Sequence, residues 1–214
     1  MIEVDAGASV LRLDDDGLAT LLASLAAAAD PDPELVAALD AAGTTSLLDA
    51  ALLDTAREPE VVLDLVVAGT STMLAHRAWV DPDRAVLVLG VRPGSHQVMV
   101  IPPAHLAAAL VRMTRLRPRR TGPRAPRSHP SAGLAALVSA DEGVRASALG
   151  EVDAGFAWRL GVAWADSGRS EITAIDGRDG LFWADEDALH PVSNTTAYRA
   201  FATVLTAGEE PSGH

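Results

Sequence analysis

Six histidines, three consecutive aspartates, a serine beside a glycine and a dense arginine stretch are the side chains here that could do chemistry. His76 and His96 fall in strand-like stretches of one meander, His105 opens the helix-like stretch after it, and His129 and His214 sit in a loop and a tail. None shows the His-x-x-x-His or acid-assisted spacing that a metal ion needs. The run Asp14-Asp15-Asp16-Gly17 opens like a calcium loop but lacks the alternating oxygen ligands and distal glutamate. It reads instead as a helix cap. Ser71, in "GTSTM", fails as a nucleophile elbow because Met73 replaces the second glycine. Walker A and Gly-x-Gly-x-x-Gly sequences are absent, and Asp176-Gly177 and Asp179-Gly180 are turn formers. The residues therefore predict no catalytic group, no metal site, no cofactor and no enzyme.

The arginines need separate weighing. All 17 basic residues are arginine, and with abundant alanine this points to a GC-rich genome and an actinobacterial origin. Arg112 to Arg127 holds seven arginines and no acid, so the remainder of the −12 chain carries −19 (−12 minus 7). Such a run could bind phosphate, RNA or an acidic protein. It could equally be a solvated loop drawn to the chain's own acidic surface. It contains no aromatic side chain to stack bases, and the overall charge opposes general binding to nucleic acid or an anionic membrane. The solvated loop is the favoured reading. A regulatory or scaffold protein that binds an acidic partner or nucleic acid through Arg112–Arg127 is the alternative function.

These groups must be positioned by a single α+β chain of 214 residues, 49% hydrophobic and 21% charged. Without cysteine, disulfides and thiolate chemistry are excluded, which fits a reducing compartment. With no signal-peptide pattern and no apolar run of membrane-spanning length, the expected location is the cytoplasm. Residues 1–59 read as mostly helical after a short strand at Ser9–Leu13. Asp14–Asp16 cap one helix, Asp32-Pro33 open a second, and Pro59 ends a third. Residues 60–116 read as a four-strand antiparallel meander closed by an Ala/Leu helix, with a tight turn at Gly69-Thr70. Residues 117–130 form an Arg/Pro-rich flexible loop. Residues 131–207 repeat the order, with one helix over "SAGLAALVSADEGVRASAL", a second meander and a last helix. Residues 208–214 are a disordered tail. The expected architecture is a central antiparallel sheet flanked by helices, in two pseudo-twofold halves.

One strand stands out. In "GFAWRLGVAWAD", Phe156, Trp158, Leu160, Val162 and Trp164 alternate with Gly155, Ala157, Arg159, Gly161, Ala163 and Ala165. With a side-chain period of two, one face is bulky and the other nearly bare. A bare face accepts close approach, either by a helix of the same chain or by a partner's helix.

Three stretches resemble one family. They are "LLDTAREPEVVLDLVVAG", "RAVLVLGVRPGSHQVMVIPPAHLAAALVRMTRL" and the segment from Gly155 to Trp183 with its "SGRS" turn. Over about Leu47 to Leu205 the chain resembles the EspG family, the ESX (type VII) secretion-associated chaperones of mycobacteria and related actinobacteria. The resemblance implies an α+β fold and a cytoplasmic, non-enzymatic chaperone that binds an apolar helical surface of a PE–PPE-like heterodimer. It transfers no individual binding residue. On the predicted sheet, Trp79, Met99, Trp158 and Trp164 are the candidates for partner contact, each with a core role as the alternative. A homodimer is left open.

Overall fold

The computed structural model describes residues 1–5, 10–26, 51–116, 125–165 and 168–206. Among them are ten strands, in one antiparallel sheet, and five α-helices, the α+β class expected. The strands are Ile2–Asp5 (β1), Val10–Leu13 (β2), Val61–Gly69 (β3), Met73–Val80 (β4) and Ala85–Arg92 (β5). They continue as Ser95–Ile101 (β6), Ala154–Trp164 (β7), Gly168–Gly177 (β8), Gly180–Ala184 (β9) and Leu189–Pro191 (β10). Their order in the sheet is β1-β2-β6-β5-β4-β3-β7-β8-β9-β10. The helices are Asp15–Ala26 (α1), Ala51–Arg57 (α2), Leu106–Met113 (α3), Glu142–Glu151 (α4) and Asn194–Thr206 (α5).

The chain divides into two compact units. In the first, α1 starts where the sequence places its cap: Asp14 accepts from the Gly17 amide at 2.9 Å. Leu18, Leu21, Leu22 and Leu25 of α1 and Leu53 and Ala56 of α2 pack on Leu11, Leu13, Trp79, Val86, Val88 and Val98 of the strands. Each fully buried side chain of this size contributes roughly 1.5–3 kcal/mol, and that burial holds two short helices to the strands. β5 is apolar on both faces and interior, with β4 and β6 on either side.

In the second unit, Leu134, Ala136, Leu137 and Val138 of the 3₁₀ turn Leu134–Val138 and Ala148 and Leu149 of α4 pack with Ala68, Ala157, Ile175, Phe182 and Leu189. Asp141 caps α4 by accepting from the Val144 amide at 3.0 Å.

Several expectations change. Residues 131–149 do not form one helix: the chain turns extended at Ser139, and α4 starts afresh from its own cap at Asp141. Strands β1 and β10, of four and three residues, were not expected. Asp64–Ala75, the outer part of the β3–β4 hairpin, belongs to the second unit with the described residues of Ala107–Ala163 and from residue 168 on, whereas Trp164 and Ala165 belong to the first. The second helix signature, the start of the third, residues 117–124 and the tail at 208–214 lie outside the described residues.

Candidate partner-binding surface

The four candidate contact residues do not converge. Trp79 is 6% exposed and packs in the first unit's core, with the Arg77 guanidinium 5.9 Å from its ring centroid. Met99 is half-buried and pairs in register with Leu87, whereas Trp79 pairs with Val86. Leu87 and Val86 are consecutive on β5, so Trp79 and Met99 project from opposite faces. Trp158 is fully buried against Phe201 of α5, ring centroids 5.5 Å apart. Trp164, six positions along the same strand and half-buried, shares its face by alternation. Trp79 and Trp158 are therefore interior side chains. Met99 and Trp164 keep exposed surface.

The bare face of β7 has a composite cover. At Ala157 the 3₁₀ turn and α4 pack onto it, so the internal-helix reading holds there. At Gly161 the neighbours are charged: a Cβ would lie 3.7 Å from the Arg169 guanidinium and 3.8 Å from the Asp64 carbonyl oxygen. Arg159, the one large residue on this face, faces Glu171 at 3.9 Å. Small side chains thus serve close helix packing at one end and room for charged neighbours at the other. Ala157→Leu is expected to cost about 1–3 kcal/mol by overpacking against α4, read as a lowered thermal midpoint. An unchanged midpoint would mean the face is open.

The arginine run is not uniform. Arg112 lies exposed in the last turn of α3. Arg127, by contrast, is built into the second unit. Its backbone exchanges two hydrogen bonds with Leu189, at 2.9 and 2.7 Å. Its guanidinium donates to the Val152 carbonyl and to Asp179 at 2.7 Å, and lies 4.5 Å from the Phe182 ring centroid. The expected flexible loop is therefore tied down at this end by one of its own arginines.

No protein-family model matches the sequence, and no curated protein matches it at the sequence level. Among solved structures, one that matches is the Mycobacterium tuberculosis type VII secretion system chaperone EspG5, in complex with the PE25–PPE41 dimer. The match covers 96% of this chain and 98% of EspG5, with a TM-score of 0.52 and 14% identity. The fold resembles that of EspG5. At this identity the likeness to EspG5 concerns architecture, and no side chain is carried over from it.

The residue that sequence reasoning missed is Arg145. It sits on α4, is only 3% exposed, and donates to four main-chain carbonyls. Nε reaches Gly69 at 2.7 Å, one terminal nitrogen reaches Ser139 at 2.6 Å and Ala140 at 3.4 Å, and the other reaches Thr70 at 3.3 Å. It ties the β3–β4 turn to the start of α4, as the five donors of a rigid planar group allow. No carboxylate pairs with it among the described residues. No group of three His, Asp or Glu among the described residues could hold a metal ion. No helix among them is long and apolar enough to cross a membrane.

Proposed function

We propose that this chain is a chaperone-like binding protein that covers an apolar helical surface of a type VII secretion substrate. The observation that supports the reading is the end-to-end match to the fold of EspG5, a type VII secretion chaperone held in complex with a PE25–PPE41 dimer. Under it, the partner is a helical heterodimer of the PE–PPE kind, and the chain acts in the cytoplasm by binding, with no catalysed step. The physics is simple. An exposed apolar helix tip is an aggregation hazard, and a binder that covers it keeps the substrate soluble until export.

Met99 and Trp164 are the residues of the four through which contact is proposed, since they retain exposure. Co-expression with the small helical proteins encoded beside this chain is expected to give a stoichiometric complex on size exclusion with light scattering. Met99→Ala and Trp164→Ala are each expected to weaken it by roughly tenfold or more, the range of interface anchors. Recovery of uncomplexed protein with every such neighbour, or of a homodimer alone, would overturn the proposal. The competing Arg112–Arg127 reading loses Arg127, whose charge is already spent on Asp179 and Phe182 of its own unit.

A further inference from the structure

The "GTSTM" stretch found no role as a nucleophile, yet it lines a cavity in the second unit. The cavity, about 190 Å³, is bounded by Thr70, Ser71 and Thr72 of the β3–β4 turn, by Arg115 after α3, and by the apolar side chains of Val67, Leu74 and Phe156. Its backbone wall is completed by Gly69 and Gly155. We propose that this cavity binds a small oxyanion, a carboxylate or phosphate group, with Arg115 as the cation and the three hydroxyls as hydrogen-bond partners.

Four observations carry the proposal. First, every charged or hydroxyl-bearing side chain in the wall can donate a hydrogen bond, and none is a carboxylate, although the chain has 29 acids and 17 arginines. A charge-assisted bond from guanidinium to oxyanion is among the strongest available to such a site. Second, Arg115 makes no ion pair among the described residues.

Third, Arg115 sits at φ 54°, the left-handed position that ends α3. The Leu116 amide donates to the Val111 carbonyl at 3.0 Å and the Arg115 amide to the Arg112 carbonyl at 3.2 Å, an arrangement that glycine usually completes. Glycine would adopt this backbone freely, and an arginine there is under strain. The fold tolerates the strain at a residue that lines the cavity. Fourth, the carbonyls of Gly69 and Thr70 in the same turn are already occupied by the buried Arg145 guanidinium. The turn therefore has a second positive group behind it, with no carboxylate partner among the described residues. In a −12 chain, this is a locally positive pocket.

The probes are inorganic phosphate and malonate, titrated at constant ionic strength into the full chain and followed by amide chemical shifts. Saturable, millimolar-range shifts at Thr70–Thr72 and Phe156 with either probe are expected. A response to both assigns the site to oxyanions in general, and a response to phosphate alone assigns it to phosphate groups. Arg115→Gln should weaken binding by roughly tenfold or more. Arg115→Gly removes the charge while relieving the backbone, so it should fold at least as well as the parent and still fail to bind. Non-saturating shifts, shifts that chloride reproduces, or undiminished binding by Arg115→Gly would overturn the proposal.

Discussion

Arg145→Met is expected to lower the stability of the second unit by roughly 3 kcal/mol, one of the two largest effects foreseen for a single change in this chain. Methionine fills much the same volume, so the loss isolates the hydrogen bonds. Four carbonyls, those of Gly69, Thr70, Ser139 and Ala140, lose their donor together. A buried acceptor left unmade costs about 1–3 kcal/mol, and the two short bonds to Gly69 and Ser139 should dominate. Removing a buried charge offsets part of this, because the guanidinium's own desolvation penalty disappears with it. In a domain of this size, the balance corresponds to a thermal midpoint lower by roughly 6–12 °C. Arg145→Lys should fall between, since an ammonium keeps the charge but cannot span both the hairpin turn and the helix start. A midpoint within a degree of the parent for Arg145→Met would mean that water satisfies these carbonyls equally well. The turn's tightness would then owe nothing to the arginine.

Arg145 also marks where sequence reading stops. In "DEGVRASAL" it looks like one more arginine on a solvated helix face of an arginine-only protein. Its partners Gly69 and Thr70 are 76 and 75 residues away, and no local pattern encodes them. The helix break before it was legible in principle. Asp141 followed by Glu142 is a good cap signature, but the alanine- and leucine-rich residues ahead of it carry enough helical propensity to hide the restart. Local signals succeeded where one residue does one job. Asp14 caps α1, period-two alternation gives β7, and the doubly apolar "AVLVLG" is the interior strand β5. Short edge strands failed because β1 and β10 are too short to show a period. The candidate contact residues divided for the same reason. Alternation says which side chains share a strand face, but not that Phe201 of α5 closes over Trp158 or that α1 and α2 close the core around Trp79.

The other large effect is a dependence on acidity carried by His76. This histidine lies on β4 in register with Leu89, is 9% exposed, and has no hydrogen-bond partner for its buried Nδ1 among the described residues. Burial lowers its pKa from 6.5 to about 4, because the imidazolium would lose its hydration with nothing to replace it. The unfolded chain binds a proton near pH 6.5 and the folded chain does not until about pH 4. Stability therefore falls as pH drops through that window, by about 1.4 kcal/mol per unit and about 3 kcal/mol in total, and His76 adds no slope above it. The carboxylates act lower down. Burial alone would raise Asp81, but the Thr55 hydroxyl and the amides of Arg84 and Asp83 outweigh it and hold the carboxyl below its ordinary 3.8. Its contribution is thus kept above pH 3.8 and lost only below it, outside the histidine's window. His76→Leu should flatten the fall in stability between pH 6.5 and 4 and leave the more acidic loss in place. At pH 7 it should be as stable as the parent or more so, since an unpaired polar atom leaves the interior. Denaturant midpoints measured across this range for both proteins test the expectation, and a ring-proton titration of His76 gives its pKa directly. Superimposable stability profiles, or a His76 midpoint near 6.5, would place this ring in water and remove its hold on the acid stability of the first unit.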